Sequence, residues 1–388
     1  MRLRFLLPTV RPTVLDVPTA CPTPACPGSL FRFHQQVIKP LRDTRYAQVA
    51  AARYECLACH HTFRVYPPGV TADQTSQRLQ GLAVMLYLLG LSYGAVALAL
   101  EALAVDLSKT SVYRAVQAAA AAVPDVCQQR VFGGRKAAAL GADLTSVWCN
   151  GQWVTLGIAV DDVTGVVLSL DVLDGSDAAS VQEWLAPIAA AVEAQLLVSD
   201  DADSFKGVAD ELGLAHQVCK AHVRRNTDEL VADLQHRIVA EPDGSLAEIG
   251  VAAEQAQADL ARLTELIATR PVEGGAELDR IQQRYKKARP PQEGAKATVA
   301  YRLRLLFLDR ANLWPRLTRY RRWRGAGGET VDGTNNACER AIGWWIKERY
   351  RAMRSYKRRE SAERVSRLLA WSGNYLGRGG AELGRVLA

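Results

Sequence analysis

The 388-residue chain is 48% hydrophobic and only 23% charged, a composition that excludes a disordered protein. None of its apolar runs reaches the roughly twenty residues that a membrane helix requires. The net charge of +7 hides an asymmetry, because residues 301–388 hold 20 Lys/Arg against 8 Asp/Glu while residues 126–300 hold 16 against 26. Basic ends around an acidic middle indicate a polyanionic partner, and nucleic acid is the usual one.

The chain starts with MRLRFLL, a basic and apolar stretch that mimics an export signal. Pro8, Arg11 and Asp16 soon interrupt it, so we interpret it as mature sequence and expect a cytoplasmic protein. The eight cysteines are then candidates for metal sites or core positions and not for disulfides. Cys127, Cys149 and Cys338 fit ordinary small core positions.

Residues 1–70 contain two cysteine pairs, Cys21 with Cys26 and Cys56 with Cys59. Two such pairs can close a tetrahedral zinc site, which lets a loop-rich segment fold without a large core. The second pair lies in RYECLACHHTFRVY, between flanks typical of β-strands. We therefore predict a structural zinc ribbon. The alternatives are unrelated buried cysteines, or a site completed by His34, His60 or His61.

Residues 71–125 have the pattern of an apolar helix followed by a helical pair. One helix is predicted from Ser92 and a second from Ser108, with a tight connection near 105–107. This is the arrangement of a DNA-binding helix-turn-helix, whose second helix enters the major groove. An antiparallel helical pair packed on the core is the alternative. The candidate DNA contacts at the start of the second helix are Lys109, Thr110, Ser111 and Arg114.

Pro124 is predicted to end these helices, and residues 126–222 follow a β/α rhythm. Three strands are predicted over 137–144, 153–160 and 166–172, joined by the Asn150-Gly151 turn and the DDVTG turn, where we leave Asp161 and Asp162. A helix, a strand, a helix and a strand come next. This order predicts a mixed sheet with an antiparallel start and parallel crossovers.

Residues 223–330 are predicted to be almost entirely helical, and residues 331–388 form a basic helical region after the loop GAGGETVDGT. Arginines interleaved with aromatic residues there suit contacts with phosphates and bases, whereas a solvated basic face is the alternative. The candidate DNA-binding residues of this region are Arg349, Arg351, Arg354, Lys357 and Arg358.

Carboxylates occur at three points of this pattern: Asp143 near the end of the first strand, Asp200 after the fourth, and Glu339 in the first turn of a late helix. Ligands bind at the carboxyl ends of strands in such sheets. By itself the cluster of Asp200, Asp201 and Asp203 also fits turn and helix-cap positions.

Three further details resemble the DDE transposases of bacterial insertion sequences and of Mutator-like elements. Asp200 is followed five positions later by Phe205 and then a lysine, and a Cys219-x-x-His222 step runs into Arg-Asn. Asn336 precedes Glu339 by three residues, and a long helical stretch separates the last two carboxylates.

The resemblance implies a ribonuclease H-like catalytic domain that holds two Mg²⁺ or Mn²⁺ ions on Asp143, Asp200 and Glu339. Asp201 and Asp203 then become a helix cap and a solvated turn. Cys219, His222 and Asn336 are secondary residues beside the active site, and a second zinc site lacks obvious further ligands in the sequence.

The predicted architecture is thus a multidomain one: zinc ribbon, helix-turn-helix, α/β ribonuclease H-like core, helical insertion, and C-terminal catalytic and basic helices. The expected function is Mg²⁺-dependent cleavage and transfer of double-stranded DNA at element ends, by a homo-oligomer associated with the bacterial nucleoid. A ribonuclease H-like nuclease and a domesticated, non-catalytic DNA-binding protein are the alternatives.

Overall fold

The computed structural model describes residues 4–130, 134–348, 355–375 and 380–387 and shows a multidomain α/β protein. The N-terminal part is a three-stranded antiparallel sheet of β2 (Phe31–Pro40), β3 (Gln48–Cys56) and β4 (Thr62–Val65). A small apolar cluster of Val10, Leu41, Val49 and Val70 supports it. Strand β1 (Phe5–Leu6) pairs elsewhere, in parallel with β10 (Ala381–Glu382).

Three helices follow: α1 (Gln77–Leu88), α2 (Tyr93–Glu101) and α3 (Lys109–Arg130). Ser92 and Ser108 begin α2 and α3 as the sequence indicates, since their hydroxyl oxygens accept hydrogen bonds from backbone N–H groups three residues later, at 3.2 Å in each case. The prediction that the helix ends at Pro124 is wrong, because α3 continues to Arg130. A proline removes one backbone donor and bends a helix, but it does not have to end it.

The central sheet has the strand order β7-β6-β5-β8-β9. Strands β5, β6 and β7 are antiparallel, and β5, β8 and β9 are parallel, as the sequence predicts. Asn150 and Gly151 both have positive φ, the conformation of a tight hairpin turn between β5 and β6. The bounds are β5 (Ala139–Cys149), β6 (Gln152–Asp161), β7 (Val166–Leu173), β8 (Leu196–Ser199) and β9 (Ala215–Val218).

Strand β5 is longer than the predicted 137–144. Its second half pairs with β6 up to the turn, with Cys149 opposite Gln152. The alternation of buried Val147 and Cys149 with exposed Ser146 and Trp148 is the period-2 pattern of a half-buried strand. The prediction placed the strand end too early because it followed only the continuous apolar run.

The two faces of the central sheet have different partners. Helices α4 (Ala178–Ala191) and α5 (Asp203–Glu211) cover one face. The other face shares one apolar cluster with α1, α2 and α3 and with α12 (Arg359–Gly373). The helices of residues 71–125 are therefore packed on the same core as the sheet.

Residues 220–317 are mostly helical, and all of them lie between Asp200 and Glu339, the last two candidate carboxylates. Tyr285 stacks on Phe307 with ring centroids 5.5 Å apart, inside a separate apolar core. None of the helices within the described residues is long and apolar enough to cross a bilayer. The bounds are α6 (Lys220–Ala240), α7 (Ser245–Glu248), α8 (Ala253–Thr269), α9 (Gly274–Tyr285) and α10 (Val299–Leu317).

The chain then returns to the central sheet with α11 (Asn336–Ala341), which continues as a π-helical turn over Ile342–Lys347. Cys338 on α11 and Cys149 on β5 are buried, as expected of core cysteines. The side chain of Cys127 lies outside the described part of the chain.

Candidate active site

Strands β5 and β8 bring Asp143 and Asp200 next to each other. The two strands are parallel, and Gly141 opposite Val198 is their last pair. Continuing this register by two residues sets Asp143 against Asp200, which directly follows β8. Neighbouring strands are about 4.8 Å apart, so two carboxylates emerge close together at one edge of the sheet.

Asn335 attaches the helix that carries Glu339 to the same edge. Its buried side-chain Nδ2 donates to the carbonyl of Ala142, the residue before Asp143, at 3.0 Å. Its backbone N–H donates to Cys219 Sγ at 3.3 Å. Glu339 lies in the first turn of α11, one turn after this anchor. Asn335 thus connects β5, α6 and α11 beside the carboxylates.

The pKa of Asp143 responds to the charges of both other candidate carboxylates. Burial, and then the negative charge of Asp200, raises the pKa of Asp143 to about 6. Glu339 adds to this effect, while the backbone N–H of Leu144 and the side chain of His222 oppose it. Since each carboxylate repels the others, a divalent cation would relieve the repulsion, and hard carboxylate oxygens are the ligands that Mg²⁺ prefers.

Cys219 and His222 lie at the start of α6, against Glu339. His222 Nε2 is 3.5 Å from Glu339 Oε1. Burial raises the pKa of the Cys219 thiol, but hydrogen bonds from His222 and from backbone N–H groups outweigh it and leave the pKa below its usual value. Contact with Cys219, opposed in part by burial, raises the pKa of His222. The sequence analysis gives this pair a secondary role beside the active site. In the structure, the pair lies next to Glu339, the third candidate carboxylate.

Asp201 and Asp203 differ from Asp200 in their surroundings. Asp201 forms an ion pair with Lys206 at 2.9 Å and lies 3.7 Å from the buried Arg310 guanidinium, so it is neither a cap nor a solvated turn residue. Asp203 is 98% exposed in the first turn of α5, in agreement with a solvated position. Phe205 is fully buried and fixes the start of this helix.

Two residues of the site were missed in the sequence. The sequence pattern selected Asn336, because it lies three residues before Glu339. In the structure, however, Asn336 is exposed and Asn335 is fully buried. Asp162 lies in the hairpin turn after β6, as predicted, and its carboxylate lies beside Gly141, where an added Cβ would be 3.3 Å from Oδ1. Burial, and then the charge of Asp332, raises the pKa of Asp162 to about 7. No local sequence signal marks either residue.

An open cavity of about 500 Å³ lies in front of Glu339. Asp332, Asn336, Glu339 and Arg340 line it. Arg340 is exposed and its side-chain Nε donates to the carbonyl of Asn336 at 3.1 Å. Its lining side chains are all polar or charged, so the cavity does not suit an apolar small molecule.

The N-terminal cysteines form a compact cluster that could hold structural zinc. The four Sγ atoms of Cys21, Cys26, Cys56 and Cys59 lie within 4.8 Å of one another. The Sγ–Sγ distances of 3.7 Å for Cys21–Cys59 and 3.9 Å for Cys26–Cys56 match the ~3.8 Å edge of a tetrahedron with Zn–S bonds of ~2.3 Å. Backbone N–H groups of Thr23 and Gly28 point at Cys21 and Cys26 Sγ, at 3.5 and 3.4 Å.

The candidate DNA-binding residues of two distant segments meet at one cavity of about 670 Å³. Lys109 and Thr110 at the start of α3 line it together with Lys357 and Arg358. Ser111 and Arg114 line a different cavity, of about 620 Å³. The first cavity is also lined by four tyrosines, Tyr87, Tyr93, Tyr113 and Tyr356. Arg349, Arg351 and Arg354 lie outside the described residues.

The comparison with family models identifies the central and C-terminal part of the chain. Residues 179–360 match the model described as the transposase IS66 family. This segment is thus similar to the transposase domain of the IS66 family. The match supports a DDE transposase of an insertion sequence and confirms the resemblance seen in the sequence. A comparison with curated proteins gave no significant match.

The matched segment contains two of the three candidate carboxylates, Asp200 and Glu339, together with Cys219 and His222. It begins after Asp143, on α4. Asp143 is assigned to the site by the sheet register and by its electrostatic contact with Asp200.

Proposed function

We propose that this protein cleaves DNA strands at the ends of an insertion sequence and transfers them to a new site, with Asp143, Asp200 and Glu339 as metal-binding catalytic residues. The observation that carries the proposal is the position of Asp143 and Asp200 at the ends of neighbouring parallel strands, with Glu339 near enough to raise the pKa of Asp143, in a chain whose residues 179–360 match the IS66 transposase family. The sheet order, three antiparallel strands followed by two parallel ones, supports a ribonuclease H-like core.

The residues present fit a divalent metal site, because a buried carboxylate with a raised pKa faces two more acidic side chains. Asp143, Asp200 and Glu339 would hold the metal. Bound Mg²⁺ or Mn²⁺ would activate the attacking oxygen and stabilise the leaving oxygen of the phosphodiester. Asn335 keeps the backbone of α11 against β5, and the open cavity beside Glu339 admits the DNA strand.

The basic residues of two segments support a DNA-binding role. Lys109 and Thr110 begin α3, as in the recognition helix of a helix-turn-helix, and share a cavity with Lys357 and Arg358. Cations next to tyrosine rings suit contact with phosphates and bases. We therefore propose that α3 and the basic region contact one continuous stretch of DNA, in a homo-oligomer assembled on two element ends. The cysteine cluster would hold the N-terminal sheet on structural zinc.

The test is an assay with double-stranded oligonucleotides that carry the inverted repeats flanking the reading frame. The full chain should nick these ends in Mg²⁺ and join them to a second duplex, and Asp143→Ala should do neither while it still binds DNA. Hydrolysis of unrelated substrates without joining would assign a nuclease. Tight binding that does not change with Mg²⁺ or with Asp143→Ala, and without cleavage, would assign a non-catalytic DNA-binding protein.

A further inference from the structure

A second set of metal-ligand atoms lies at the junction of α6 and α11. Cys219 Sγ, a ring nitrogen of His222 and a carboxylate oxygen of Glu339 all lie within 4.8 Å of one another. The site uses one carboxylate of the proposed catalytic set, but its other two donors are a thiol and an imidazole. This donor set differs from the all-oxygen set that Mg²⁺ prefers.

Two atoms of this cluster are buried without a hydrogen-bond partner: His222 Nδ1 and Glu339 Oε1. Buried polar atoms are nearly always satisfied in folded proteins, so the unsatisfied Glu339 Oε1, beside a thiol and an imidazole, points to a missing ligand. The 3.5 Å between His222 Nε2 and Glu339 Oε1 is too long for a good hydrogen bond. It is close to the ~3.4 Å edge expected between nitrogen and oxygen ligands of a tetrahedral zinc ion.

Cys219 is prepared to act as a thiolate ligand. It is fully buried at the N-terminus of the 21-residue helix α6, and the Asn335 N–H donates to its Sγ. The positive end of the helix dipole and this N–H favour the negative form of the sulfur. The His222 and Glu339 side chains are 23% and 40% exposed, which gives a metal ion a path from solvent.

We propose that Cys219, His222 and Glu339 bind a thiophilic divalent cation such as Zn²⁺, with the fourth position open to water. An ion bound to Oε1 neutralises the Glu339 carboxylate and adds a repelling positive charge beside the catalytic set, so occupation of the thiophilic site weakens Mg²⁺ binding there. The site then acts as an inhibitory metal switch. This second step rests on the proposed transposase function, whereas the metal site itself stands on its geometry alone.

The first experiment counts metal without any reference to activity. The full chain, loaded with zinc and freed of excess, should contain about two zinc ions, one in each cysteine-containing site. Cys219→Ser and His222→Gln should each contain about one, because the four-cysteine cluster remains. Co²⁺ loading gives a second readout, since thiolate-to-cobalt absorption should fall in Cys219→Ser. His222 is partly exposed, so His222→Gln keeps the test valid if the buried Cys219 variant does not fold.

The second experiment titrates Zn²⁺ into the cleavage assay at fixed, excess Mg²⁺. Wild-type cleavage should fall at least tenfold at low micromolar zinc and recover with a chelator, and His222→Gln should resist zinc. Equal zinc content in the wild type and both variants overturns the site. A second zinc ion that leaves cleavage unchanged overturns the switch. A second zinc ion in a protein that cleaves no substrate supports the site and contradicts only the proposed transposase function.

Discussion

The side-chain amide of Asn335 donates a hydrogen bond to the backbone carbonyl of Ala142, and this bond joins the helix of Glu339 to the strand of Asp143. The neighbouring Asn336 is exposed and lines the cavity in front of Glu339. The two adjacent asparagines therefore have separate roles, one in positioning and one at the surface of the site.

Asn335→Ala should lower both stability and activity. It removes a buried hydrogen-bond donor, so the free energy of unfolding should fall by about 1–3 kcal/mol, and α11 should lose its fixed distance from β5. Urea unfolding and the cleavage rate measure the two effects. Asn336→Ala is the matched control and should leave stability within experimental error. Equal loss of stability in both variants would contradict the anchoring role.

Asp200 and Asp201 should separate chemistry from stability. Asp200→Asn should abolish Mg²⁺-dependent cleavage with little change in stability, because the carboxylate faces Asp143. Asp201→Asn should retain cleavage but should lower the free energy of unfolding by about 1–3 kcal/mol, because Lys206 and the buried Arg310 each lose one of their acidic partners. The exposed Asp203→Asn should change neither. A dead but stable Asp201→Asn would move the catalytic position by one residue.

Asp143 should make stability depend on pH in the absence of metal. Its pKa is raised from 3.8 to about 6, mainly by burial, so the folded state holds this proton more tightly than the unfolded state does. Ionisation of Asp143 therefore destabilises the folded state. Its contribution lowers the free energy of unfolding as the pH rises from 3.8 through about 6 and reaches its full size above that range. Asp143→Asn removes the penalty and should stabilise the metal-free protein at pH 7.5 by up to about 3 kcal/mol, with a smaller gain at pH 5. Urea unfolding at both pH values measures this, and a variant that is less stable at pH 7.5 would contradict it.

Gly28 should be essential for zinc binding at the cysteine cluster. A Cβ at this position would lie 2.4 Å from Cys56 Sγ, so Gly28→Ala should displace the sulfur and reduce zinc retention against a chelator. Gly207→Ala is the control, since an added Cβ there meets nothing within 4 Å. The measurement is the rate of zinc release from the full chain. Release at the same rate from both variants would show that the cluster tolerates a shifted thiolate.

Lys357 and Arg358 should contact DNA phosphates. Replacement of both by alanine should weaken binding to all sequences alike and reduce the slope of log affinity against log salt by about 2, since each phosphate contact contributes about 0.9. Lys287 and Lys296, which are exposed in the helical insertion, provide a control with the same loss of charge. Fluorescence anisotropy across a salt series measures the slope. An unchanged slope would show that the basic region is a solvated surface that does not contact DNA phosphates.

The sequence was sufficient to predict features that depend only on residues close together in the chain. The Asn150-Gly151 turn, the caps Ser92 and Ser108, and the position of Asp200 after a strand all follow from local patterns, and the structure agrees with them. The sheet order follows from the order of strands and helices.

The sequence was insufficient where two distant segments share a contact. Asp201 resembles a cap residue until Arg310, more than a hundred positions away, is placed beside it. Asn335 acquires its role only because Ala142 lies opposite it. Pro124 is a local signal for a helix end, but packing of α3 on the core outweighs the cost of one missing hydrogen bond.

Because β1 pairs with β10, the N-terminal strand cannot complete its pairing until almost the whole chain has been synthesised. Ala381 N donates to the carbonyl of Arg4 at 2.8 Å, and the carbonyl of Leu387 accepts from Gln77 on α1 at 3.0 Å. The segment 381–387 thus completes the packing around the first helices. At roughly 5–20 residues per second, a ribosome needs on the order of 20–75 s between β1 and β10. During that interval β1 lacks its partner strand, so a prematurely terminated chain lacks the C-terminal segment that packs against its first helices.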